Sequence, residues 1–179
     1  MAKMRYVLLS IFILMINNVI AGQFSANVEI VVNGNLSQSG KIYVDGNRRR
    51  VEMKTIDGVS TALIIDTTKK SGYVLLPAEK KYAEMSDMSS FVEGGKIINS
   101  NAAKQIGSEL VGGYTCQILQ VNNDGVIQKY WYAKQLDFPI KIVTEVNGVE
   151  YTKTEYKNIK AQKQDSALFN IPRGFKKAE

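Results

Sequence analysis

The sequence predicts a mainly β protein: a curved antiparallel sheet forming an incomplete barrel, with a short helical lid. Three observations carry this. Apolar and polar residues alternate over short runs, and Asn-Gly and Asp-Gly turn signals separate those runs. In the middle, from Ser86 to Glu109, the alternation stops.

The first element is no strand. Lys3 and Arg5 precede an apolar stretch from Tyr6 to Ile16, and Asn17-Asn18 then lead to Val19-Ile20-Ala21. A basic start, an apolar run shorter than the roughly 20 residues of a spanning helix, and small residues at its end mark an export signal cut after Ala21. The expected location is therefore the periplasm. Residues 22–179 suit one domain. The formal charge of +6 for the whole chain falls to about +4 without Lys3 and Arg5.

Strands follow in order. Phe24, Ala26, Val28, Ile30 and Val32 alternate with Ser25, Asn27, Glu29 and Asn33, which gives one apolar and one wet face. Asn33-Gly34 turns the chain, Ile42 and Val44 continue the pattern, and Asp45-Gly46-Asn47 turns it back. Arg49, Val51 and Met53 form the next strand up to Asp57-Gly58. Val59 to Asp66, Tyr73 to Leu76 and Lys81 to Met85 are further strands, separated by Lys69–Gly72 and by Pro77.

After the break, Tyr114 to Val121 and Val126 to Ala133 flank the turn Asn122–Gly125. Ile140 to Val146 and Val149 to Ile159 flank Asn147-Gly148. The tail Ala167–Pro172 is apolar enough to dock on the sheet. Within the break, Ser86 or Asp87 caps a short helix over Met88 to Val92, and Asn101 to Gln105 make another helical turn. Roughly ten strands in one sheet must curl, split or close to limit their edges. The break would then cover the hollow of the curl as a lid over Ser86 to Glu109.

Several stretches resemble a family of secreted bacterial proteins to which no activity is assigned. They are Gly40-Lys41-Ile42-Tyr43, Arg50-Val51-Glu52 and Leu76–Tyr82, then Gly113–Cys116, Trp131-Tyr132-Ala133, Phe138–Lys141 and the closing Phe169–Phe175. That family is similar in fold to the periplasmic lipoprotein carriers LolA and LolB, a half-closed sheet whose helices plug an apolar cavity. In LolA-like carriers an arginine on an early strand bonds the lid. The resemblance puts Arg50 in that role, with Arg49 as its alternative.

Composition narrows the chemistry. There is no histidine, which removes the commonest general base and zinc ligand. Cys116 is the single cysteine, so no intramolecular disulfide forms, and it reads as a buried apolar thiol. No phosphate-binding glycine loop is present, and the carboxylates are scattered. No cofactor, metal or catalytic residue is expected, and the chain reads as a non-enzyme.

Three groups are candidates for binding. Met85, Met88, Phe91 and Val92, with Ile97 and Ile98, form an adaptable apolar cluster, or else plug their own core. Tyr130 and Tyr132 share one face of a strand and Trp131 takes the other, and either face could line a cavity or simply pack. The basic residues Arg48–Arg50, Lys69-Lys70 and Lys80-Lys81 suit solvent or an anionic membrane surface, and export argues against nucleic acid. The expected activity is carriage of a lipid, an acyl chain or a lipoprotein by a monomer. The alternative is a protein-interaction module of the envelope with a filled core. If the leader is cleaved as read, the intact mass of protein recovered from the periplasm corresponds to a chain that starts at Gly22.

Overall fold

The structure, a computed structural model, describes residues 22–87 and 103–178. Met88, Phe91, Val92, Ile97, Ile98 and the leader up to Ala21 lie outside the described residues. The fold is one sheet of twelve strands. In chain order these are β1 (Gln23–Val32), β2 (Asn35–Asp45), β3 (Arg48–Thr55), β4 (Ser60–Asp66), β5 (Ser71–Leu76) and β6 (Lys81–Glu84). After the break come β7 (Lys104–Val111), β8 (Tyr114–Asn123), β9 (Val126–Ala133), β10 (Phe138–Val146), β11 (Val149–Ala161) and the two-residue β12 (Lys176–Lys177).

The strand order is β12-β6-β5-β4-β3-β2-β1-β11-β10-β9-β8-β7. Two antiparallel meanders, β1–β6 and β7–β11, are joined where β1 pairs with β11. The sheet ends at β12 and β7, which do not pair, so it is open and not a closed barrel. Tight turns account for the meander, and the sequence predicts all of the following but Gly112-Gly113. Asn33-Gly34, Gly112-Gly113, Asp124-Gly125 and Asn147-Gly148 each have positive φ at both positions. That conformation matches the twist of the flanking strands and favours Asn, Asp and Gly. Between β4 and β5 the turn is Thr67–Lys70, earlier than the Lys69–Gly72 expected, because the Asp66 carboxylate accepts from the Thr68 and Lys69 amides.

Register interruptions bend the sheet, including those between Ser25 and Asn27, Pro139 and Lys141, and Thr144 and Glu145. One contact measures the curl. Arg49 of β3 places its guanidinium 5.4 Å from the ring centroid of Phe138 of β10. In a flat sheet those strands would lie four spacings apart, roughly 19 Å. The face that carries Arg49 is therefore the inside of the curl. Register places Phe24, Val44 and Ile65 in the same row as Arg49. Phe138 packs edge-on against Phe24 at 5.1 Å and against Tyr156 at 5.2 Å. The main core continues through Ile42, Trp131, Ala133 and the fully buried Leu136 and Ile140.

A smaller core sits on the outside of the β4–β6 wing. Ala62, Ile64 and Leu75 are buried there, with Tyr73, Tyr82, Ile171 and Phe175 against them. The C-terminal segment covers this patch. Asp165 caps a 3-10 turn over Ser166–Phe169, and β12 then pairs in parallel with β6. The docking of the tail on the sheet agrees with its apolar composition.

The expected lid needs correction. Lys104 and Gln105, placed in a helical turn by the sequence, begin β7, and Lys104 to Glu109 belong to this strand and not to a cover. An edge strand with one partner and two wet faces has no period-two pattern to read: most of β7 is exposed, and its register slips between Gln105 and Gly107. Among the described residues the one helical turn is Ser166–Phe169.

Gly40 fixes the approach of β2 to β3. A Cβ there would lie 1.8 Å from the Glu52 carbonyl oxygen and 2.9 Å from the Met53 Cα, both backbone atoms that cannot rotate away. Gly40→Ala is expected to cost roughly 3 kcal/mol or more, read as a lower urea midpoint, whereas Gly34→Ala at an open turn position should cost less.

Candidate binding surface

The three consecutive arginines of β3 divide between the two faces because neighbours in a strand point to opposite sides. Arg48 and Arg50 are outside. Arg48 pairs with Asp45 and lies 4.8 Å over the Phe169 ring. Arg50 donates from Nε to Glu52 Oε1 at 2.7 Å and from Nη1 to the Leu168 carbonyl at 3.2 Å. Arg50 thus holds the C-terminal 3-10 turn onto the sheet. Arg49 is inside, its Nε buried without a hydrogen-bond partner. Burial lowers its pKa below the ordinary value, against the opposing pull of Tyr156 and Asp137. Its guanidinium stands over the Phe138 ring.

The aromatic strand makes contacts within the chain on both faces. Trp131 is buried in the main core, its Nε1 donates to the Glu109 carboxylate, and Lys141 Nζ lies 4.2 Å from the ring centroid. Tyr130 is buried and donates to Gln128 Oε1 at 3.0 Å. Tyr132 donates to Asp137 and so braces the turn between β9 and β10. Met85 is half-buried just after β6, where its amide donates to the Gly72 carbonyl at 2.9 Å. Cys116 is fully buried, and burial raises its pKa, so the thiol stays neutral.

Two clefts lie along the outer face of the first wing. The larger is about 430 Å³, with Met53, Ala62 and Pro77 beside Lys41, Arg50, Glu52 and Lys54. The second, about 270 Å³, opens between the β4–β5 strands and the C-terminal turn, at Ile64, Asp66, Tyr73, Phe169 and Ile171. Of the residues singled out from sequence, Arg50 lines the larger cleft. Trp131, Tyr130, Tyr132, Met85 and Arg49 line neither. Lys41, Glu52 and Ala62 were missed. They sit opposite one another on three adjacent strands, and the parity of those strands was the one signal that could have grouped them.

Residues 25–137 match the family described as Domain of unknown function (DUF4412), and the chain belongs to that family. No curated protein matches it. Among solved structures, the MucA/MucB complex of Pseudomonas aeruginosa aligns with a TM-score of 0.57 at 11% identity, over 83% of this chain and 55% of that one. A crystal structure of MucB in complex with MucA(peri) gives 0.56 at 12% identity, over 85% and 55%. PNGF-II in a C2 crystal gives 0.50 at 13% identity, over 89% and 31%. The chain therefore spans about half the length of the MucA/MucB-complex chains it resembles. At these identities the likeness is one of fold.

Tyr132 and Tyr156 are both pushed up to about 12, in each case chiefly by burial, with Asp137 adding to the first and Arg49 opposing the second. A raised phenol pKa favours the folded state below the unfolded value of 10, and that stability is lost as pH rises from 10 through about 12. Absorbance titration should show a late tyrosinate step near 12, and the melting temperature should fall across that interval. Tyr156→Phe should remove part of the step.

Proposed function

We propose that this DUF4412 chain is a non-catalytic binding module of the cell envelope, exported to the periplasm and built as a LolA/LolB-like half-barrel, whose ligand is a segment of another envelope protein. One observation carries the reading: side chains occupy the inside of the curl. Arg49, Phe138, Phe24 and Tyr156 meet there at ring-contact distances. A ligand of this fold is then held on its surface and edges. β7 offers such an edge. It pairs with β8 alone among the described strands, and Ile106 and Leu110 are exposed along it. An extended segment that pairs with a sheet edge gains main-chain hydrogen bonds, and alternate side chains give selectivity. The likeness to a chain solved in complex with MucA supports a protein ligand.

A photo-crosslinking residue placed at Ser108 of β7 should give a discrete adduct with one envelope protein. The same residue at Lys157, within the paired β11, should not. Capture of monomer alone from both positions would sink the reading.

The larger outer cleft favours a second reading, carriage of a lipid, an acyl chain or a lipoprotein. Its apolar residues Ala62 and Pro77 lie next to Lys41, Arg50 and Lys54, a pairing suited to an acyl chain with an anionic head. Native mass spectrometry of gently purified protein would then show a co-purified lipid, and Ala62→Trp would abolish it. A lipid-free spectrum that no added fatty acid changes would exclude carriage.

A further inference from the structure

Among the described residues, eight large apolar side chains are exposed, and six of them stand at one end of the sheet. They are Leu36 on the β1–β2 hairpin, Ile56 and Val59 on the β3–β4 connection, and Val146, Val149 and Tyr151 on the β10–β11 hairpin. These three hairpins are neighbours, because the strand order there is β4-β3-β2-β1-β11-β10. Their tips form one curved row, roughly 24 Å along the arc of the rim at five strand spacings. Backbone hydrogen bonds tie the row together: the Ile56 amide donates to the Ser37 carbonyl at 3.2 Å, and the Asn33 amide to the Tyr151 carbonyl at 2.9 Å. The tips cannot splay independently.

The opposite end of the sheet differs. Its connections Gly46-Asn47, Thr67–Lys70 and Lys134–Asp137 are polar or charged, and Leu136 there is fully buried. The apolar tips are thus a local feature and not a general property of the turns. Ile56 is 79% exposed and Val149 69%, far beyond what packing within the chain explains.

We propose that this rim is a membrane-contact site, which sets its apolar side chains into the boundary between headgroups and acyl chains of a neutral bilayer. The shape and the charge of the rim select that occupant. The row consists of hairpin tips at one end of the sheet, where polar turn residues Asn33, Gly34, Asn147 and Gly148 stand among the apolar ones. Such a mixture suits the boundary layer, where an apolar side chain finds hydrocarbon while turn backbone stays hydrated. Tyr151 carries a ring and a polar end, a combination favoured at that depth. The charged residues in the tips are Asp57 and Glu150, with the Lys54 side chain beside Gly58, so the rim carries no net positive charge to draw it to anionic lipid. Contact with the bilayer is then hydrophobic, insensitive to salt and indifferent to anionic lipid. This inference stands apart from the choice between a protein and a lipid ligand.

The test is flotation of protein recovered after export with phosphatidylcholine vesicles, at low salt and at about 0.5 M salt. Native protein is expected to float under both conditions. The double variant Ile56→Ser, Val149→Ser is expected to partition more weakly by about tenfold or more. Both positions are exposed, so its melting temperature should equal that of the native protein. Equal flotation of the two proteins overturns the proposal. So does binding that requires phosphatidylglycerol and disappears at high salt, which assigns the contact to lysines elsewhere. A native protein that stays in solution overturns it too, and if that protein dimerises through the same side chains, the rim is a self-association surface.

Discussion

The pairing of β1 with β11 is the constraint on which the rest of the molecule depends. Each meander is a run of local hairpins, and local hairpins need no distant partner to form. Their union requires contact between the first and the last long strands, Phe24 with Ala161 through Val32 with Thr152. That closure is entropically slow and joins the two meanders into one sheet. It also brings the starts of β1 and β10 to either side of β11, where Phe24, Phe138 and Tyr156 form a chain of edge-on rings. Arg49 closes over this chain from β3.

The same closure separates the two faces by function. Inside, the Arg49 guanidinium lies against a chain of aromatic rings. A buried arginine whose Nε lacks a partner is costly unless its charge is balanced, and here the faces of rings supply part of that balance. Outside, the sheet carries ion pairs such as Lys157 with Glu29 and with Glu155, the ordinary covering of a wet face. The exception is the β4–β6 wing, where Ile64, Leu75 and Tyr73 would be exposed without the C-terminal segment. Arg48 and Arg50 hold that segment from opposite sides of its turn, one by its ring and one by its carbonyl.

Much of the architecture was readable from single hairpins. Asn147-Gly148 has φ of 52° and 79°, values that two short-range residue preferences dictate before any tertiary contact is made. Alternation of Phe24, Ala26 and Val28 likewise predicted a buried face, and all three are buried. β7 was not readable, since its sequence Lys-Gln-Ile-Gly-Ser-Glu-Leu-Val alternates nothing and its strand state comes from β8 alone. The cleft residues Lys41, Glu52 and Ala62 were also hidden, because each belongs to a different strand and their proximity is a matter of register.

By itself, the sequence determined that the chain is a meander of antiparallel strands, where its Asn-Gly and Asp-Gly turns fall, and that Cys116 is buried rather than bridged. Those properties follow from φ preferences and from period-two patterning, which act over a few residues. The tertiary structure alone decided that Arg49 faces in while Arg48 and Arg50 face out, that the C-terminal turn covers the outer wing, and that three hairpin tips form one apolar rim. Parity fixes that neighbours in a strand differ in side, but only the direction of the curl says which side is the interior.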